Sequence, residues 1–246
     1  MEIVKPYIEV LQAVPYNEMK YVTETAIRNC YKSEDKMKPG SAAKIIKGVG
    51  KRGHLSTYEH CMISARFVTD CGILAELTRH RTGIGFSVES TRYCNYTDDD
   101  KFNTGIKVIM PYDIIGNPEA EAIWIKGIND METAYNALTA LGIKTDSTRS
   151  VLAKAVKTDI IVTANIREWL HIFDVRCANP AHYQFRQLTR PFLGWLYTEY
   201  PAFFEMYGPQ YIDKIEELKN NPSSRIEITD KRFQTLSYED QKQYDD

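Results

Sequence analysis

The chain is expected to fold as a single α+β domain, and three features of its 246 residues lead there. Segments of period two and of period 3.6 occur together, without the strict strand–helix alternation of a doubly wound sheet. No stretch rich in Pro, Gly or Ser divides the chain, and no internal repeat is present. The composition, 43% hydrophobic and 26% charged, is that of an ordinary globular protein. The domain is assigned to residues 1–219, and residues 220–246 to a polar C-terminal tail of partly disordered character.

Each element follows from its local pattern. Ile3, Val4, Tyr7, Ile8 and Val10 make residues 1–12 a strand, with Pro6 marking an edge. Met19, Val22 and Ala26 give residues 16–31 helical spacing, with Asn17 as N-cap. A short helix follows Ser41 and ends at Gly48. Residues 52–60 are a polar connection. Cys61 to Thr69 alternates as a strand, and Asp70 to Arg81 returns to helical spacing, which places Arg79, His80 and Arg81 in a last turn that favours positive charge. Residues 95–105, with Asp98, Asp99 and Asp100, are turn-rich, and Ile106 to Met110 is a short strand. Pro118 to about Leu141 reads as a long helix stopped by Gly142. Further helices are expected over Ser147–Val156, Ile166–Arg176 and Pro180–Tyr200, with a buried strand at Thr158–Ala164.

Composition also excludes. A formal net charge of −2 argues against wholesale nucleic-acid binding, so any anion site must be local. The five cysteines are scattered and form no Cys-x-x-Cys pair. The first residues lack a signal-peptide pattern, and no apolar run reaches the roughly 20 residues of a membrane span. A reducing, cytoplasmic setting is therefore expected, with no membrane partner. Neither a Gly-x-Gly-x-x-Gly turn nor a Walker loop is present. His54 and His60 lack metal-ligand spacing, so no metal is expected. Cys94, next to Arg92 and Tyr93, reads as a small packing residue rather than a nucleophile.

One stretch concentrates chemistry. Residues 79–93 hold Arg79, Arg81, Arg92, His80, Gly83, Gly85 and Ser90. Arginine forks match phosphate and carboxylate oxygens, and glycine lets backbone approach a ligand. With 33 acidic residues available, such arginines could serve only as salt-bridge partners. Their clustering with a histidine and a serine favours a site for a planar, phosphorylated ligand. A second group, Arg149, Asn165, Arg167, His171 and Arg176, fits a ligand site and a solvated face equally well.

The blocks Arg79-His80-Arg81 and Ser90-Thr91-Arg92-Tyr93, with the upstream segment His54 to His60 and the downstream Arg149, Asn165, Arg167, His171 and Arg176, resemble the flavin-dependent thymidylate synthases over roughly residues 1–205. The pattern is departed from in places. Eight residues separate Arg81 from Ser90, where seven are usual. Ser87-Val88-Glu89 replaces the usual Asn-Glu, so either Val88 or Glu89 falls at the acidic position. Glu76 stands where glutamine is common, and Ala153 where proline is.

The resemblance implies a central antiparallel sheet flanked by helices, binding flavin without a Rossmann turn. It implies methylation of dUMP to dTMP, with methylenetetrahydrofolate giving the carbon and NADPH-reduced FAD the hydride. Arg176 is then the catalytic residue. Glu76, Arg79, Val88, Glu89, Ser90, Arg92, Arg149 and Arg176 are assigned to dUMP. His54, Ser56, Arg79, His80, Arg81, Asn165, Arg167 and His171 are assigned to FAD. A homotetramer with active sites shared between subunits is implied as well. A nucleotide-binding module without catalysis is the alternative.

Overall fold

Apolar residues at alternate positions build the sheet. The structure is a computed structural model that describes residues 1–97, 105–206 and 226–232. Its strands are β1 (Glu2–Ile3), β2 (Tyr7–Ala13), β3 (Met62–Asp70), β4 (Ile84–Val88), β5 (Lys107–Val108), β6 (Lys157–Asn165) and β7 (Glu227–Asp230). Five of them form one sheet in the order β4-β6-β3-β2-β7. Antiparallel register sets Ile63, Ala65 and Phe67 of β3 opposite Ala164, Val162 and Ile160 of β6. The same β6 residues face Ile84, Phe86 and Val88 of β4. One apolar face results, because side chains in a strand alternate strictly. In β2 the register shifts between Val10 and Gln12, and this bulge lets Ala13 join Ile8 and Val10 in the core.

Helices cover that face. The helices are α1 (Tyr16–Tyr31), α2 (Ser41–Lys51), α3 (Cys71–Leu77), α4 (Pro118–Ala140), α5 (Thr145–Thr148), α6 (Ile166–Arg176), α7 (Tyr183–Glu199) and α8 (Pro201–Phe204), and all but α4 and α5 carry residues of that core. Met19 and Ile27 of α1, Trp169 and Phe173 of α6, and Phe185 and Phe192 of α7 are fully or almost fully buried with the strand residues. Trp169 is central. It stacks on Phe67 and Phe173, meets Phe192 edge-on, and donates its Nε1–H to the Ile63 carbonyl at 3.2 Å. Truncating such a residue costs about 3–5 kcal/mol, a large share of a domain's roughly 5–15 kcal/mol. A smaller cluster joins Ile106, Val108 and Val156 to Ile128, Met131 and Tyr135 of α4, beside the two-stranded parallel pair β1–β5.

Several expectations are corrected. The sheet is mostly antiparallel, but β7 runs parallel to β2. That strand comes from residues 226–232, inside the stretch read as a polar tail; Ile226 and Ile228 pack on the core. The first strand breaks in two around Pro6. The N-cap of α1 is Pro15, not Asn17, and it makes no side-chain bond. The second helix runs on through Gly48 and Gly50 to Lys51. No helix spans 147–156: α5 passes into a 3-10 turn at Arg149–Val151, and the backbone beyond is claimed by tertiary bonds. Cys71 N donates to Val156 O, Gly72 N to Lys154 O, and Ile109 N to Ala155 O. Three long-range bonds outweigh helix propensity, which is a weak prior. The strand expected over Ile106–Met110 shortens to β5, and Asp98 to Asp100 lie outside the described residues. The helix Pro118–Ala140 stands as read, and Gly142 (φ +76°) closes it through Ile143 N to Leu138 O.

Candidate functional site

The site begins where α3 stops. Asp70 caps that helix, its Oδ1 accepting from Ile73 N at 2.9 Å, and Thr78 ends it. Arg79, His80 and Arg81 therefore sit just past the helix rather than in its last turn. Arg79 N and His80 N still reach back to Glu76 O and Leu77 O. The turn leaves Arg79 and Arg81 exposed, without an ion pair among the described residues, and buries His80. Gly83 then bends the chain into β4 at φ +62°, and a Cβ there would meet Asn165 Nδ2 at 2.3 Å. Only glycine fits.

The other half comes from α6. Asn165 caps it, accepting from Glu168 N at 2.8 Å, and Arg176 is its last residue. Arg176 closes on the end of α3 although a hundred residues separate them in sequence. Its Nη1 donates to Glu76 Oε2 at 2.7 Å, Nη2 to Glu76 O at 2.8 Å, and Nε to His80 Nε2 at 3.2 Å. The guanidinium also lies over the Phe185 ring at 4.8 Å. Its pKa is lowered, by burial first. Burial, then the charges of Arg176 and His171, hold the His80 imidazole down at about 4, so it is neutral near pH 7. The rings of His80 and His171 are 5.4 Å apart.

A second group forms after β4. The Ser90 hydroxyl accepts from Arg92 N at 3.4 Å. Arg92 Nε donates to Asp146 Oδ1 at 2.8 Å. Arg149 donates from Nε to Asp146 O and from Nη1 to Thr91 Oγ1, both at 3.3 Å. Ser90, Arg92 and Arg149 are thus brought together, and Arg92 and Arg149 are exposed. Arg92 lowers the Asp146 pKa through this hydrogen bond.

Alternation along β4 separates Val88 from Glu89. Val88 shares the face of Ile84 and Phe86. Glu89 projects to the opposite face of the sheet, where it accepts from Lys157 Nζ at 2.8 Å and Tyr96 OH at 2.6 Å. Glu89, Tyr96, Lys157, Arg66 and Asp159 line a cavity of about 910 Å³ there.

The flavin-assigned residues are spread along the edge nearby. His54 caps a 3-10 turn, Leu55–His60, which carries Ser56 and packs against α6. Arg167 of α6 pairs with Glu59 of this turn at 2.6 Å. Ser56, Thr57 and His60 line a groove of about 410 Å³ with Thr25, Asn29 and Cys30 of α1. The hydroxyls of Thr25 and Thr57 are buried there with no hydrogen bond among the described residues. The two orphaned hydroxyls suit the polar part of a cofactor, and Arg79 and Arg81, outside the lining of that groove, are uncommitted forks that suit a phosphate. Asn165 is already committed as a cap.

The sequence reading missed Glu168, Asp146, Lys157 and Tyr96. Glu168 had a signal, since Asn165-x-x-Glu168 has the spacing of a capping box. Asp146 had none. His80, Glu168 and His171 also hold ligand atoms within 4.8 Å of one another, an arrangement that could take a metal ion.

Both the sequence and the fold have relatives among known proteins. The family described as thymidylate synthase complementing protein matches residues 11–202. A flavin-dependent thymidylate synthase of Geobacter sulfurreducens is 27% identical over 209 residues, 82% of this chain and 87% of that one. One from Mycobacterium sp. (strain JLS) is 30% identical over 206 residues, 74% and 78% of the two chains. One from Halobacterium salinarum is 30% identical over 191 residues, 68% and 76%. In fold the chain is similar to PolB, a UMP/dUMP methylase of Streptomyces cacaoi solved with 5-Br dUMP. That match has a TM-score of 0.70 at 19% identity over 83% of this chain and 96% of that one.

Proposed function

Because the chain belongs to the thymidylate synthase complementing protein family, the flavin-dependent thymidylate synthases, we propose that it converts dUMP to dTMP at the site around Arg176. The observation that carries this reading is the guanidinium of Arg176, held by Glu76 and His80 from a segment a hundred residues away. Aimed and largely buried, it can stabilise negative charge as it develops on a uracil ring. Ser90, Arg92 and Arg149 supply the forks and hydroxyl for a nucleotide phosphate, which would displace Asp146 from Arg92. Arg79, whose charge helps to lower the Arg176 pKa, would serve both nucleotide and flavin.

Arg79, Arg81, Arg167, His171, Ser56 and His54 would hold FAD, with the buried His80 and Asn165 as supports. The bound flavin supplies hydride chemistry that no side chain can. Methylenetetrahydrofolate is the carbon donor and NADPH the reductant. A cysteine nucleophile is not needed, and burial raises the pKa of Cys61 and pushes that of Cys71 up to about 11, which makes both poor ones. Assembly with further copies rests on the resemblance to the flavin-dependent thymidylate synthases. The active homotetramer then shares its sites between subunits.

Purification tests the reading. A yellow protein whose flavin NADPH bleaches, and which forms dTMP from dUMP and methylenetetrahydrofolate, supports it. A colourless protein that ignores FAD sinks it in favour of a non-catalytic nucleotide binder.

A further inference from the structure

We infer that Glu168 is a positioning residue for the proposed reaction: its carboxylate holds His80 as the Nδ1–H tautomer, which keeps Nε2 open to Arg176 and fixes the aim of that guanidinium. The inference rests on Arg176 facing the substrate.

The chain of reasoning starts at Arg176, because its Nε–H can only donate. Its bond to His80 Nε2 at 3.2 Å therefore requires a lone pair on that nitrogen. A neutral imidazole carries one proton, so the proton is on Nδ1. Facing Nδ1 at 3.4 Å is Glu168 Oε1. Both residues are only 6% exposed. Oε1 has no hydrogen bond among the described residues, and an orphaned buried carboxylate oxygen is costly. Donor and acceptor answer each other, and a small rotation of either side chain closes the bond.

A structural explanation for Glu168 is available and is already used up. Glutamate at the third helical position normally bonds back to the N–H of the capping residue. Here Asn165 N donates to Gly83 O instead. The carboxylate is thus released from capping and left beneath the histidine. Without it, the proton is free to move to Nε2, where it would oppose the Nε–H of Arg176, and the guanidinium would lose one of its anchors.

The same tautomer argues against a metal ion on His80, Glu168 and His171. Nδ1 would have to ligate, which moves the proton to Nε2 and breaks the Arg176 bond. A divalent cation would also sit beside Arg176, whose charge already depresses the His80 pKa.

The test reads the tautomer directly, by long-range 15N–1H correlation of histidine side chains in the full-length protein near pH 7. The expected result is His80 protonated at Nδ1 only. Protonation at Nε2, or an imidazolium, overturns the inference. In turnover, Glu168→Ala should lower kcat by about tenfold to a hundredfold with KM for dUMP within about threefold, while Glu168→Gln, which keeps an acceptor, recovers to within about threefold. Equal impairment of both variants, or none, overturns it. If Glu168→Ala does not fold, the wild-type tautomer and Glu168→Gln still decide. Titration with Co2+ giving visible absorption bands that Glu168→Gln and His80→Gln abolish would show a metal site and also overturn it. A wild-type protein that makes no dTMP refutes the proposed function but leaves the tautomer measurement valid. Active protein with the wrong tautomer refutes this inference alone.

Discussion

The group around Arg176 and the group around Arg92 contain the same chemistry and are built differently. Arg176 is mostly buried, and three of its N–H directions are committed to Glu76 and His80. Arg92 and Asp146 are both about half exposed and share one hydrogen bond. Exposed pairs of this kind are worth little and exchange readily, whereas a desolvated, multiply bonded guanidinium keeps its direction. The first is suited to stabilise charge that develops during a reaction, and the second to receive an anion that arrives already charged. The difference lies in preorganisation.

The largest effect tests the fixed group. Arg176→Ala should lower dTMP formation by about a hundredfold to a thousandfold even at saturating dUMP, with flavin content retained. Parallel loss of flavin would show that Arg176 is a cofactor ligand. Next, Arg92→Ala and Arg149→Ala should each raise KM for dUMP by about tenfold to a hundredfold with kcat largely kept. Initial-rate kinetics separates the two patterns.

The third prediction concerns the buried histidine that supports Arg176. His80 is faced by Arg176, His171 and Glu168, and its pKa is held down to about 4. Between about pH 6.5 and pH 4 the unfolded chain binds a proton at this residue that the native state does not. Stability therefore falls as pH drops through that window, by up to about 1.4 kcal/mol per pH unit. Burial raises Asp70 and Glu168, which act in the opposite sense over the carboxylate range. The difference between wild type and His80→Gln in denaturant melts isolates the histidine; a difference independent of pH would contradict the assignment.

Smaller effects refine the exposed group. Asp146→Ala removes the carboxylate that a phosphate must displace, so KM for dUMP should fall by a few-fold, about two to five. An increase would mean that Asp146 orients Arg92 for the substrate. Cys94→Ala should leave turnover unchanged, and abolished turnover would reopen a nucleophilic cysteine.

Much of this was legible in the sequence, for reasons that differ by element. Ile166–Arg176 and Lys157–Asn165 read clearly because burial on one face imposes a period that local residues display. The strand Ile84–Val88 displayed it too, in Ile84, Phe86 and Val88, but the interleaved glycine made it read as a spacer. Ser147–Val156 misled because its helical composition yields to backbone bonds with Cys71, Gly72 and Ile109. Of the site, the arginines were visible as clustered types. Whether Val88 or Glu89 faces the helices was not, since that depends on strand parity. The capping-box spacing of Glu168 was legible, but it points to a helix end rather than to the site, and the bond of Asn165 N to Gly83 O that frees the carboxylate is tertiary.

The division of labour is tested most directly by tritium release from C5-labelled dUMP, in the presence of FAD, NADPH and methylenetetrahydrofolate, as dUMP is raised for Arg176→Ala and Arg92→Ala side by side. The account predicts that Arg92→Ala regains wild-type release at high dUMP and Arg176→Ala does not. Recovery of both, or of neither, would contradict it.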